Sequence, residues 1–324
     1  MGILKTITEE YFGDTIRKED EINIEGLDVE IVSFTDNNGK YHGKGYKPKD
    51  RDILKKLLER MIEKRGNEGD FNDIDTSEIT SMKSLFERNN DFNGDITGWD
   101  VSKVKNMEYM FYNVESFNQP IGKWDVSNVE NMSNMFNGTE SFNQPIEKWD
   151  VSKVMSMKNM FSFSTSFNQP IGNWNVSNVI NMNNMFFEAT SFNQPIGDWD
   201  VSNVKNIYSM FEGATSFNQP IGNWKFPKVE NMNSMFNGAS SFNQPIGNWN
   251  VSSVENMSSM FFDAKSFNQP IGNWNIGNVN YTISMFKNAK SFNQDLSKWN
   301  LNGKCTIDMF KDCPIKEEYK PKME

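Results

Sequence analysis

The side chains best suited to chemistry recur once every 25 residues along most of the chain. Asp100, Asp125, Asp150, Asn175, Asp200, Lys225, Asn250, Asn275 and Asn300 share one position of this period. If the fold lines them up on adjacent strands about 4.8 Å apart, the aspartates repel one another and attract a cation or a basic partner. Calcium binding, protein binding and a plain solvated face are all open to such a column, and it is the best candidate contact surface. A second polar row contains Asn93, Asn118, Asn143, Asn168, Asn193, Asn218, Asn243, Asn268 and Asn293. Amides in a row can hold a ligand or form a buried ladder that satisfies the backbone of neighbouring copies. The structural ladder is the expected role, from Asn118 to Asn268 in particular.

Catalytic chemistry finds little to work with. His42 is the one histidine, the cysteines are Cys305 and Cys313, and neither type clusters with metal-ligand spacing. No glycine loop precedes a helix as in a phosphate site, and acids occur once per period rather than as a converging pair. The expectation is a protein that is not an enzyme and has no cofactor and no metal site. Two cysteines at one end of a long chain make no disulfide framework, and reduced thiols are expected over a pair.

The elements that must position these residues are set by the apolar part of the period. All nine tryptophans, Trp99 to Trp299, keep the 25-residue spacing, and so do nine phenylalanines from Phe92 to Phe292. From Trp124 to Val126 apolar residues alternate, as in a short strand with Asp125 facing out. From Val129 through Met132, Met135 and Phe136 they recur at three and four, as on one face of a helix. Ser127 with Glu130 resembles a capping box, and Pro227 suits the same junction. Met and Phe at one position per copy read as core, since burying each contributes roughly 1.5–3 kcal/mol and stacking supplies the partner surface.

The predicted fold class is therefore an α/β repeat, a leucine-rich-repeat-like solenoid with one short strand and one short helix per 25-residue coil. Residues 71–313 form about nine repeats, residues 1–70 a small α+β N-terminal cap, and residues 314–324 a charged C-terminal tail. Within the cap, Ile22 to Ile31 and Tyr41 to Tyr46 read as hairpin strands around the turn Asp36 to Gly39. Ile53, Leu57, Leu58 and Met61 mark an amphipathic helix from Asp50 to Arg65, ended near Gly66.

A formal charge of −10 and a pI near 4.9 argue against a nucleic-acid binder, which needs a basic stripe. Met1 to Asp14 has no apolar core long enough for a signal peptide, and no stretch approaches a membrane span, so a cytoplasmic location is expected. The units FNQPIGKWDVSNVENMSNMF and FNQPIGNWNVSSVENMSSMF resemble the BspA-like leucine-rich-repeat family, in particular its Mycoplasma lipoprotein-associated surface repeats. That resemblance covers roughly three quarters of the chain and implies a surface or adhesion role at the cell surface, without catalytic residues. The sequence departs from the surface members in lacking a lipobox cysteine near its start. The expected function is a non-enzymatic protein-protein interaction scaffold, with a BspA-like adhesin and a calcium-binding array as alternatives. Variable outward positions such as Lys105, Glu130, Lys205 and Glu230 are where partner specificity can be written.

Overall fold

A computed structural model describes residues 22–35 and 41–322. The turn expected at Asp36 to Gly39 and the segment Met1 to Asp14 lie outside the described residues. The chain is a repeat protein, with few helices and one small two-stranded sheet among the described residues.

The N-terminal region holds strand β1 (Val29–Thr35), strand β2 (Tyr41–Pro48) and helix α1 (Arg51–Arg65). The strands pair antiparallel, with Ile31 opposite Tyr46. Asp50 caps α1 by accepting from the N–H groups of Asp52 and Ile53, and Gly66 ends it in a left-handed conformation that glycine adopts without strain. Leu57, Leu58 and Met61 are buried as the spacing requires, while Leu54 takes the core position expected of Ile53, which is only half-buried. The cap is joined to the first copy of the repeat. Tyr46 bridges Ile74, donating its N–H to the Asp73 carbonyl and accepting from the Asp75 N–H. Arg51 donates to the Lys83 carbonyl, and the Lys55 ammonium to that of Ser84.

The repeated copies correct the sequence expectation. None contains the strand or the short helix predicted for each 25-residue coil; among the described residues the only other regular element is a single 3-10 turn at Glu317–Tyr319. The helical spacing from Met182 to Phe192 is produced by successive turns, in which Met185, Phe187 and Ala189 each donate to a carbonyl three residues back. Asn184 and Glu188 break any helix, because their φ angles of 55° and 54° lie in the left-handed region. Corresponding residues, among them Asn134 with Gly138 and Ser234 with Gly238, do the same in other copies. Turns return the chain every three residues, so apolar side chains still fall on one side and mimic a helical face.

With neither ladder nor helix inside a copy, the backbone is satisfied between copies. Met182, Asn184, Phe186 and Glu188 donate their N–H groups to the carbonyls of Asn206, Tyr208, Met210 and Glu212, in the following copy. Isolated parallel bridges link Asn106 to Asn131, Asn131 to Ser156, Ser156 to Asn181 and Asn181 to Asn206. This accounts for backbone groups that burial otherwise leaves costly.

Side chains follow the same register. Phe111, Phe136, Phe161 and Phe186 form one column of near-parallel rings with centroids 5.6 to 5.9 Å apart. Phe117, Phe142, Phe167 and Phe192 form a second at 6.0 to 6.1 Å, and the two columns touch, with Phe161 and Phe167 at 3.9 Å. The tryptophans are buried beside them, and the indole N–H of Trp174, Trp199, Trp224, Trp249 and Trp274 donates to an isoleucine carbonyl of the preceding copy. Methionines, which adapt to irregular gaps, fill the remaining columns.

The last copy is closed by the tail. Ile315 is buried, Tyr319 accepts from the Leu296 N–H, and Lys322 bridges Asn300. Cys305 and Cys313 are free thiols, and burial pushes the Cys313 thiol up from its ordinary range.

Candidate interaction surface

Residues from Asp100 to Asn300 at the 25-residue interval are all exposed, but they are not strand residues. Each Asp or Asn of the column turns its Oδ1 back to accept the N–H two residues on: Ser102 for Asp100, Ser127 for Asp125, Ser152 for Asp150, Ser177 for Asn175 and Ser202 for Asp200. Ser252, Gly277 and Asn302 do so for Asn250, Asn275 and Asn300. This side-chain turn needs an Oδ1 acceptor and is indifferent to charge, which explains why Asp and Asn interchange in the column. Hydrogen bonds from Ser152 and Ser202 hold the Asp150 and Asp200 carboxyls below their ordinary range, helped by Lys153 and Lys225 respectively. Ser127, placed at a helix cap by its spacing, is in fact the donor of such a turn.

Lys225 is the exception. It has no Oδ1, and Pro227 two residues later has no N–H, so the acceptor and donor of the turn are lost together. Here the bridges between copies are interrupted: Asn181 pairs with Asn206 and Asn231 with Asn256, with no bridge from Asn206 to Asn231. Phe226 replaces the usual valine and packs edge-on against Trp224 and Trp249.

The second polar row forms hydrogen bonds from copy to copy. Asn93 Oδ1 accepts the Asn118 N–H, Asn118 that of Asn143, Asn143 that of Asn168 and Asn168 that of Asn193. Asn193, Asn218, Asn243 and Asn268 continue the row to Asn293, whose Oδ1 receives the Lys316 N–H from the tail. From Gln119 to Gln294, the glutamine that follows each donating asparagine adds a side-chain bond to the same oxygen, as Gln244 does to Asn218 at 2.9 Å. These asparagines are half-buried or exposed rather than buried, because the row runs along the array surface.

The most distinctive surface feature lies in the variable column of Lys105, Glu130, Lys205 and Glu230, all exposed. In two successive copies that column holds Met155, 48 % exposed, and Ile180, 40 % exposed. They face a shallow groove of about 640 Å³ also lined by Glu130, Lys153, Asn178, Asn203, Lys205 and Lys228. Backbone bonds run beneath it, from the Met155 N–H to Glu130, from Ile180 to Met155 and from Lys205 to Ile180. The Lys153 and Lys228 ammonium groups donate to the neutral amides of Asn128 and Asn203, both at 2.6 Å. Met155 and Ile180 escaped the sequence reading, although two aliphatic residues in a column of lysine, glutamate and asparagine were a usable signal.

Among the described residues, no group of three or more His, Cys, Asp or Glu side chains is placed to hold a metal ion. No helix is long and apolar enough to cross a membrane among the described residues. No curated protein and no solved structure matches the chain. A family model does, at residues 56–165, 145–238 and 221–320, so its three overlapping matches take in the repeated copies from the cap helix to the tail. The chain belongs to the family described as Mycoplasma protein of unknown function, DUF285.

Proposed function

We propose that this chain is a non-enzymatic scaffold, a solenoid related to the leucine-rich-repeat and BspA-like proteins, that binds a protein partner along its exposed columns. The observation that supports this reading is the division of each copy. The Phe, Trp and Met positions are buried and nearly invariant, while the columns facing out differ from copy to copy, as Lys105, Glu130, Met155 and Ile180 do. A repeat unit contacts only its neighbours, so outward residues vary without disturbing the stack. The calcium alternative has less support, since the Oδ1 atoms it needs already accept hydrogen bonds within their own turns.

The test is co-purification of the full chain, cross-linked in native cells, with a parallel chain in which the outward columns of three central copies are exchanged for those of their neighbours. Under the scaffold reading, a stoichiometric protein partner is retained by the first and lost by the second. Equal recovery from both, or no partner, counts against it. Protease digestion of intact cells tells where the surface acts: cleavage of the array places it outside, as in the adhesin alternative, and protection places it inside.

A further inference from the structure

We infer that the groove over Met155 and Ile180 binds an extended acidic peptide segment of a partner protein, with two aliphatic side chains followed by two acidic ones at every second residue. This rests on the scaffold reading and names the chemistry of the partner. Two nearly half-exposed aliphatic side chains lie in successive copies, in a groove whose other lining residues are polar. Their exposure is unfavourable in the free protein, and a partner that covers them gains what water loses.

Charge selects the partner. The chain as a whole carries a net charge of −10, yet the groove lining holds Lys153, Lys205 and Lys228 against Glu130 alone. None of these three lysines forms an ion pair among the described residues; Lys153 and Lys228 rest on neutral amides. A cationic groove on an anionic protein favours an acidic segment and repels basic ones, and most of that selection appears in the association rate.

An extended chain can reach both halves of the groove. At the groove the Ile180 N–H bonds Met155 and the Lys205 N–H bonds Ile180, beside the parallel Ser156–Asn181 and Asn181–Asn206 bridges, so successive copies there lie about 4.8 Å apart. Side chains on one face of an extended peptide repeat about every 6.6–6.8 Å, longer than this step, so an aliphatic pair covers Met155 and Ile180 while the long, flexible lysine side chains beyond reach an acidic pair. Aliphatic residues then sit over Met155 and Ile180, and the acidic residues that follow meet Lys205 and Lys228.

The experiment uses the full chain and a fluorescein-labelled peptide of about ten residues, with Leu, Leu, Glu and Glu at alternating positions, read by fluorescence anisotropy. Two variants borrow residues that other copies carry at the same positions: Met155→Lys with Ile180→Glu, and Lys205→Glu with Lys228→Asn. Each should weaken binding by about tenfold or more, with circular dichroism and melting unchanged. Raising salt from about 50 to 500 mM should weaken the native chain's binding, and an isomeric peptide with the acids replaced by lysine should not bind. Native-like affinity in either variant, or equal binding of the lysine peptide, overturns the inference. So does binding to phosphatidylserine vesicles without binding to the peptide. A cellular partner retained equally by the groove variants overturns the groove assignment while leaving the scaffold reading standing.

Discussion

Replacing Asn218 by alanine removes an acceptor from the middle of the amide row. Its Oδ1 takes the Asn243 N–H at 2.9 Å and the Gln244 side-chain amide at 2.9 Å. Gln244 keeps a second acceptor, the Asn218 carbonyl at 3.0 Å, so the net loss is one backbone bond and part of one side-chain bond. Each hydrogen bond contributes about 0.5–1.5 kcal/mol net, and Asn218 is only half-buried, so water recovers some of the loss; the expected cost is about 1–2 kcal/mol. Asn218→Asp is the control. It keeps an oxygen in the same place for both donors, so its stability should equal or exceed that of the native chain. Because repeat arrays need not unfold as one unit, the readout is twofold: the urea midpoint followed by tryptophan fluorescence, and amide exchange at Asn243. The alanine variant should lose protection at Asn243, and the aspartate variant should keep it. Equal destabilisation by both substitutions would show that the asparagine acts through something other than its acceptor oxygen, and would refute the reasoning.

Other expectations follow from the ends, the seam and a half-buried acid. Arg51→Ala frees the Lys83 carbonyl at the start of the array and should cost about 1 kcal/mol, with exchange protection falling first between Met82 and Arg88. Lys225→Asn with Pro227→Ser restores the missing side-chain turn. Its gain of about 1 kcal/mol is opposed by the roughly 0.4–1 kcal/mol that proline contributes by restricting the unfolded chain, so the melting temperature should barely move. Protection at Ile207 and Glu230 should rise instead, and unchanged exchange there would show that Phe226 alone sets the seam. Burial pushes the Glu212 carboxyl up, against hydrogen bonds from Ser209 and Asn237 and with the Glu188 charge adding to the rise. A raised folded value means that ionised Glu212 disfavours the fold at neutral pH, and that this penalty disappears as pH falls through the folded value. Glu212→Gln should therefore melt higher than the native chain at pH 7 and converge with it in acid, as followed by circular dichroism.

Much of this architecture was legible because the apolar pattern is strict. Trp, Phe and Met at one position per copy can only be core, and α1 announced itself through Asp50, its leucines and Gly66. The backbone inside each copy was not legible from hydrophobic period, since a run of turns and a helix both return a side chain inward after three residues. The discriminating signal lay in the polar residues between: Asn134, Asn159 and Asn184 at one position and Gly138, Gly213 and Gly238 at another are residue types that tolerate left-handed backbone. Ser127 was ambiguous for a similar reason, because the same residue serves a helix cap or a side-chain turn. The Asp and Asn column is exposed, and its interchange of acid and amide spoke for a turn acceptor. The groove went unseen since its two aliphatic residues are informative only by comparison with their own column.

The bonds between copies keep a fixed sense at each position, forward to the successor from the Met182, Asn184, Phe186 and Glu188 amide hydrogens and backward to the predecessor from that of Ile180, so the two sides of a unit differ. Every interior unit is thus plug on one side and socket on the other, while α1 and the tail recognise only the terminal units. Units can be gained or lost in the middle without redesigning either end, and the distance from cap to groove then changes in whole steps. Length becomes a quantity that evolution or an engineer can set independently of foldability.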